Sequence, residues 1–174
     1  MPASTRPQSN PYLDRLLLDS RRALSCELLP RDNAARRLMR AMKRGRTAGM
    51  VIDRRVDEGQ PIEFFGHDKQ STVLPARLAL KFHCDLVPVQ VERLQDARYR
   101  VTFHPPVRPT DTSVDETVQA VDMIQQVHHQ FEDWIRQQPQ DWFCSKRLWW
   151  RAKRNPWNSK KEAGRDAGID RHAA

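Results

Sequence analysis

Cysteine is scarce in this 174-residue chain: Cys26, Cys84 and Cys144 are the three present, far apart and with no C-x-x-C pair. That count argues against a disulfide framework and for a reducing compartment. His83, Cys84 and Asp85 are adjacent, but neighbours in sequence seldom converge on one ion and no second cluster completes a ligand set, so no metal and no other cofactor is expected. No stretch reaches the roughly 18 consecutive apolar residues of a membrane-spanning helix, and the opening MPASTRPQSN lacks the apolar centre of a signal peptide. Glycine is also sparse, six residues against twelve prolines, which favours short elements with hard stops. No internal repeat is visible.

What is present is polar and basic. Thirty Lys and Arg against 22 Asp and Glu leave a formal charge of +8, which suits an anionic partner: nucleic acid, a lipid headgroup layer or a phosphorylated substrate. The length allows one domain with a real core.

Periodicity places the elements. PYLDRLLLDS (residues 11–20) predicts a short amphipathic helix opened by Pro11. A second helix is predicted from Asp32 to Arg44, capped by Asp32 or Asn33, striped by Ala35, Leu38, Met39 and Met42, and ended by Gly45. TAGMVID, ending at Asp53, has the length of a strand, and VDEGQPIEFFG has loop chemistry around Gly59 and Pro61. A third helix fits Ser71 to His83, with Ser71 or Thr72 as cap. Val87, Val89 and Val91 then share one face of a strand, Tyr99, Val101 and Phe103 one face of another, and QDAR between them makes a hairpin. The longest helix is predicted over about residues 114–138. Helices alternating with strands imply an α/β class, a mixed sheet flanked by helices with at least one antiparallel pair.

His128 and Asp133 raise a question of chemistry, because a histidine with a carboxylate nearby can act as a general base. On a helix five residues turn the side chain by about 140°. His128 falls among Val114, Val118, Val121, Ile124, Phe131 and Ile135, whereas Asp133 lies on the polar face. The pair cannot meet, so His128 reads as a core histidine and Asp133 as a solvated charge. His67 and His104 lack convincing partners as alternative bases: His67 directly precedes Asp68, and His104 ends a strand before two prolines.

Several stretches occur together in a telling order: RPQSNPYLD (Arg6 to Asp14), the strand end Met50-Val51-Ile52-Asp53, IEFFG (Ile62 to Gly66) followed by STVLPARLAL, DLVPVQVER, YRVTFHPP and EDWIRQQPQDWFCSKRLWW. Over about residues 5–151 this resembles the later portion of the bacterial lipid A biosynthesis acyltransferases of the lauroyl/myristoyl type. The resemblance implies a partial glycerolipid-acyltransferase-like fold. It also implies a membrane-associated transferase moving a fatty acyl group from acyl carrier protein or acyl-CoA to a hydroxyl of a phosphorylated glycolipid. In the family a His-x-x-x-x-(Asp/Glu) motif and an N-terminal anchor lie upstream of the block matching RPQSNPYLD, and here that block follows Met1 closely. The expectation is therefore a truncated or split member, inactive by itself, that works with an upstream-encoded half. Strands awaiting upstream partners would be left with open edges.

The resemblance also carries substrate-binding candidates: Arg6 and Asn10 from the first block, Asp53 from the strand end, Gly66 and Thr72 from the turn and following helix, and Arg147 from the terminal motif. Arg54 stands where the family has glutamine, Phe64 and Phe65 suit either an acyl channel or the core, and no residue in the chain is implied as catalytic. The end of the chain is distinct. All five tryptophans (134, 142, 149, 150 and 157) are close together, and KRLWWRAKRNPWNSKK holds seven Lys or Arg. Indole with cations suits an anionic bilayer interface and also nucleic acid by stacking and phosphate contact, although no nucleic-acid signature accompanies it. The expected organisation is an acyltransferase-like portion over residues 1–151 and a basic, disordered tail over 152–174. The expected location is the cytoplasmic side of the inner membrane, peripherally, or the cytoplasm. The competing reading is a non-enzymatic binder of acidic lipid or nucleic acid.

Overall fold

The computed structural model describes residues 2–5, 10–22, 27–30, 34–142, 144 and 147–149. Arg6, the caps Asp32 and Asn33, Trp150 and the basic tail with Trp157 lie outside them. The element order is β1 (Pro2–Thr5), α1 (Pro11–Arg22), β2 (Glu27–Pro30), α2 (Ala34–Lys43), β3 (Gln60–Phe64), β4 (His67–Ser71), α3 (Leu74–Phe82), β5 (Val89–Arg93), β6 (Tyr99–Phe103) and α4 (Glu116–Gln137). The strands form three two-stranded sheets. β1 and β2 are parallel around the crossover helix α1, while β3–β4 and β5–β6 are antiparallel. This is an α/β architecture.

The helix ends follow local chemistry. Gly45 at φ +72° terminates α2, with its amide on the Met42 carbonyl (2.9 Å) and the Arg46 amide on the Ala41 carbonyl (3.1 Å), the left-handed exit that glycine permits. Asp115 caps α4 by accepting from the Thr117 amide at 2.7 Å, which satisfies one of the donors left open at the helix start. The core lies between α3 and α4, where Ala76 and Ala79 meet Ala120, Met123, Ile124 and Val127, with Ile52, Ile62 and Val107 closing it. Leu38 of α2 packs on Leu78 of α3 in a second cluster. None of the described helices is long and apolar enough to cross a membrane.

Three sequence expectations need correction. TAGMVID forms no strand; residues 50–52 have no regular secondary structure, and Ile52 is buried in the core cluster. The stretch read as a loop contains β3, and the helix expected from Ser71 begins at Leu74 because residues 67–71 pair with β3. Alternation was disguised there: the inward positions of β4 are Lys69 and Ser71, both 0% exposed, so a polar strand is buried on the side where apolar residues would announce it.

Candidate functional site

The chemistry of the described residues concentrates where the β3–β4 ribbon lies against α4. Gln125, His128 and Glu132 recur at helical spacing along α4 and meet the exposed backbone edge of β3. The Gln125 carboxamide brackets Glu63, accepting from its amide at 3.0 Å and donating to its carbonyl at 3.1 Å. His128 Nδ1 lies 3.3 Å from that same carbonyl, and Glu132 accepts from the Phe65 amide at 2.8 Å. Side chains of the helix thus do the work that a third strand would do for β3.

The turn of this ribbon is strained. Phe65 and Gly66 have φ of 54° and 73°, the left-handed pair that a two-residue hairpin turn needs. For glycine that conformation is ordinary; for phenylalanine it is disfavoured. The Glu132 carboxylate on the Phe65 amide and the Arg136 guanidinium 5.1 Å above the Phe65 ring hold it in place. Arg136 is itself bound to Glu132 at 2.6 Å and to Asp133 at 3.1 Å.

Beneath the turn lies an aromatic box. Phe64 is fully buried, with ring centroids of Phe65 at 4.8 Å, His128 at 5.1 Å, Trp142 at 5.9 Å and Trp149 at 6.4 Å. Trp149 Nε1 donates to the Phe64 carbonyl at 3.1 Å. Lys69 enters this box with its ammonium 4.5 Å over the Phe64 ring, where it donates to the carbonyls of Asp53 (2.9 Å) and Ile52 (3.3 Å). Burial pulls the lysine down to about 8, and the nearby Asp53 charge offsets only part of that. Asp53 in turn accepts from Trp142 Nε1 at 3.3 Å through Oδ2, while Oδ1 is buried without a hydrogen-bond partner.

The histidine geometry settles the spacing question. His128 is 0% exposed and Asp133 faces outward onto Arg136, as the helical arithmetic requires. Because the Glu63 carbonyl can only accept, the Nδ1 of His128 carries the proton, and the bare Nε2 is buried with no partner. Burial, reinforced by the Lys69 charge, drives the imidazole down to about 3, against the smaller upward pull of the Glu63 carbonyl. Such a group is a poor base near neutrality, and its bare nitrogen is closed off from solvent. The other described histidines have different neighbours: His104 bonds Gln90 at 3.2 Å, His129 bonds Gln125 at 3.0 Å, His67 packs edge-on to Trp149, and His83 sits at φ 49° at the end of α3. Among the described residues no histidine bonds a carboxylate.

The candidates implied by resemblance separate. Asp53 and Gly66 belong to the box and its turn. Asn10 does not join them; its Oδ1 accepts from the Tyr12 amide at 3.0 Å, capping α1. Thr72 Oγ1 accepts from the Leu74 amide at 3.2 Å, a turn just ahead of α3 rather than its cap, which falls on Val73. Arg147 is exposed, and Arg6 lies outside the described residues. Lys69, Gln125 and Glu132 escaped the sequence reading, since a polar residue spaced along a helix or strand looks solvated until its partner edge is known. The one signal was the shared spacing of Gln125, His128 and Glu132.

Comparison with curated proteins returns no match. The model of one family, described as bacterial lipid A biosynthesis acyltransferase, matches residues 1–151. The chain belongs to the bacterial lipid A biosynthesis acyltransferase family.

Proposed function

We propose that this chain takes part in fatty acyl transfer from acyl carrier protein or acyl-CoA to a hydroxyl of a phosphorylated glycolipid, and that the base for that step is a His–carboxylate pair supplied from outside the described residues. The family match over residues 1–151 carries the reaction class. The sealed, depressed His128 supports the second half, because the histidine at the motif spacing has neither access nor basicity. In this reading the Phe64 box is a scaffold: it fixes the Asp53 segment against the strained Phe65–Gly66 turn and so positions both for contact with substrate. Arg147 and Arg6 serve the acceptor's phosphate groups.

A cationic surface favours peripheral contact with acidic headgroups at the cytoplasmic side of the inner membrane. Arg36, Arg40, Lys43 and Lys81, with Met39, line an open groove of about 310 Å³ between α2 and α3. The same surface suits the second reading, a non-enzymatic binder of acidic lipid. Labelled acyl carrier protein and a phosphorylated glycolipid separate the two. The assay uses the chain alone and together with a polypeptide that carries the family's His-x-x-x-x-(Asp/Glu) motif. Transfer that needs both polypeptides supports the acyltransferase reading; vesicle binding with no transfer in any combination leaves the lipid-binding one.

A further inference from the structure

Helix α2 has the sequence AARRLMRAMK, with four cations and no acid. Arg36 and Arg40 stand four residues apart, and Arg40 and Lys43 three apart, so like charges meet along one stripe and weaken the helix. Arg36, Met39, Arg40 and Lys43 of that stripe, with Lys81 from the last turn of α3, line the groove of about 310 Å³. Packing holds the two helices at this spacing: Leu38 of α2 is buried on Leu78 of α3, and Met39 packs on the same cluster, which gives the groove an apolar floor. The cationic side chains are exposed above it.

No carboxylate lines this groove. On the opposite half of the chain exposed arginines are neutralised locally, Arg100 by Glu92 and Arg108 by Asp85. Among the described residues none of the four groove cations has such a partner. A neighbouring depression of about 560 Å³ shares Lys81 but includes Glu116, which sets the place of an anion on the α2 side. Exposed cations in an open groove hold a free anion only weakly, because water screens each pair. A headgroup anchored in a bilayer arrives at high local concentration, and each cation near an anionic surface strengthens binding about fivefold. A nucleic acid would stack its bases on aromatic rings, and none lines the groove. Among lipid headgroups a phosphomonoester presents about 1.5 to 2 charges and three terminal oxygens at neutral pH, against the single charge of a phosphodiester. Guanidinium forks bind such oxygens in pairs.

We infer that the α2–α3 groove is a headgroup site selective for lipid phosphomonoesters over phosphodiesters, with Arg36 and Arg40 supplying the forks and Lys43 and Lys81 the remaining charge. Met39 meets the carbons next to the phosphate. This rests on the proposed function only in setting this face against the membrane; the choice of headgroup comes from the groove.

The test is co-sedimentation of the full chain with phosphatidylcholine vesicles that contain phosphatidic acid or phosphatidylglycerol, matched in zeta potential. The site predicts binding to phosphatidic acid tighter by about fivefold or more. R36Q/R40Q removes both forks from exposed positions, with glutamine a good helix former, and lowers that binding about 25-fold. R98Q/R100Q takes the same charge from the β5–β6 hairpin and changes it less than about twofold. K43Q/K81Q gives a second loss of about 25-fold without touching Arg36 or Arg40, so misfolding of one variant does not decide the matter. Equal binding to the two vesicles, or equal losses in R36Q/R40Q and R98Q/R100Q, overturns the inference. So does displacement by inorganic phosphate at constant ionic strength, which marks a site for the free anion, or retention on a single-stranded DNA oligomer that R36Q/R40Q abolishes. Acyl transfer is read separately: selective vesicle binding without transfer refutes the reaction and leaves the headgroup site, whereas transfer with no preference between the vesicles refutes the site alone.

Discussion

Replacing His128 by asparagine tests the buried site through its proton. Asparagine keeps a donor near Nδ1 for the Glu63 carbonyl, 3.3 Å away in the native protein, and removes the titratable ring. In the folded chain the imidazole takes its proton only at about 3, against 6.5 for an ordinary histidine. Below the ordinary value the unfolded chain binds a proton that the native chain refuses, so stability falls as pH drops from 6.5 toward 3 and is fully retained above that window. Lowering the pH from about 7.5 to about 5 costs the native protein about 2 kcal/mol through this one group, at 1.36 kcal/mol per pH unit once below the unfolded value. Urea unfolding at the two pH values, for native protein and His128→Asn, isolates it. The variant starts lower by about 1–3 kcal/mol, because it leaves space beside Phe64, and loses about 2 kcal/mol less on acidification. Equal acid sensitivity in the two proteins would show that His128 titrates normally and is not sealed.

Lys69 makes the opposite end of the same argument. Its value is held near 8 instead of 10.5, so stability rises between those values as the unfolded chain keeps a proton the native one sheds; Lys69→Met abolishes that rise, measured by denaturant unfolding across the alkaline range. Gly59→Ala would place a methyl group 2.6 Å from the Ser71 carbonyl oxygen and from Val56 Cγ2, and a thermal melt should show a loss of about 1–3 kcal/mol. Gly66→Ala meets nothing within 4 Å and strains only its φ of +73°, for a loss of about 1 kcal/mol. Glu132→Gln weakens the acceptor on the Phe65 amide and the pairing to Arg136, costing about 1–3 kcal/mol and speeding exchange of the Phe65 amide.

The long helix was legible because its apolar period extends over many turns, and with it came the separation of His128 from Asp133. The β5–β6 pair was legible because Val89, Val91, Val101 and Phe103 alternate with polar residues. That pattern told which side chains share a face but not that the face is open, since alternation is the same whether water or protein lies beyond it. β3 and β4 were illegible for a different reason. Lys69 and Ser71 occupy inward positions, and the Phe65–Gly66 turn lacks the Asn-Gly or Asp-Gly usual in a two-residue hairpin. The Asp53 segment misled in the other direction: Met50 and Ile52 are apolar because they reach the core from an unpaired chain. Family resemblance named Asp53 and Gly66 without relating them in space; it is Lys69, donating to the Asp53 carbonyl from within β4, that ties the Asp53 segment to the ribbon.

The central claim is that none of these histidines is the base for acyl transfer. Its most direct test is single replacement of each of the six histidines in an assembled system that moves a labelled acyl group onto a phosphorylated glycolipid. The account predicts that every variant which folds retains its transfer rate, and that the rate vanishes only when the His–carboxylate pair supplied from outside the described residues is altered. Transfer by this polypeptide alone, abolished by one of those six replacements in a protein that still melts normally, would contradict it.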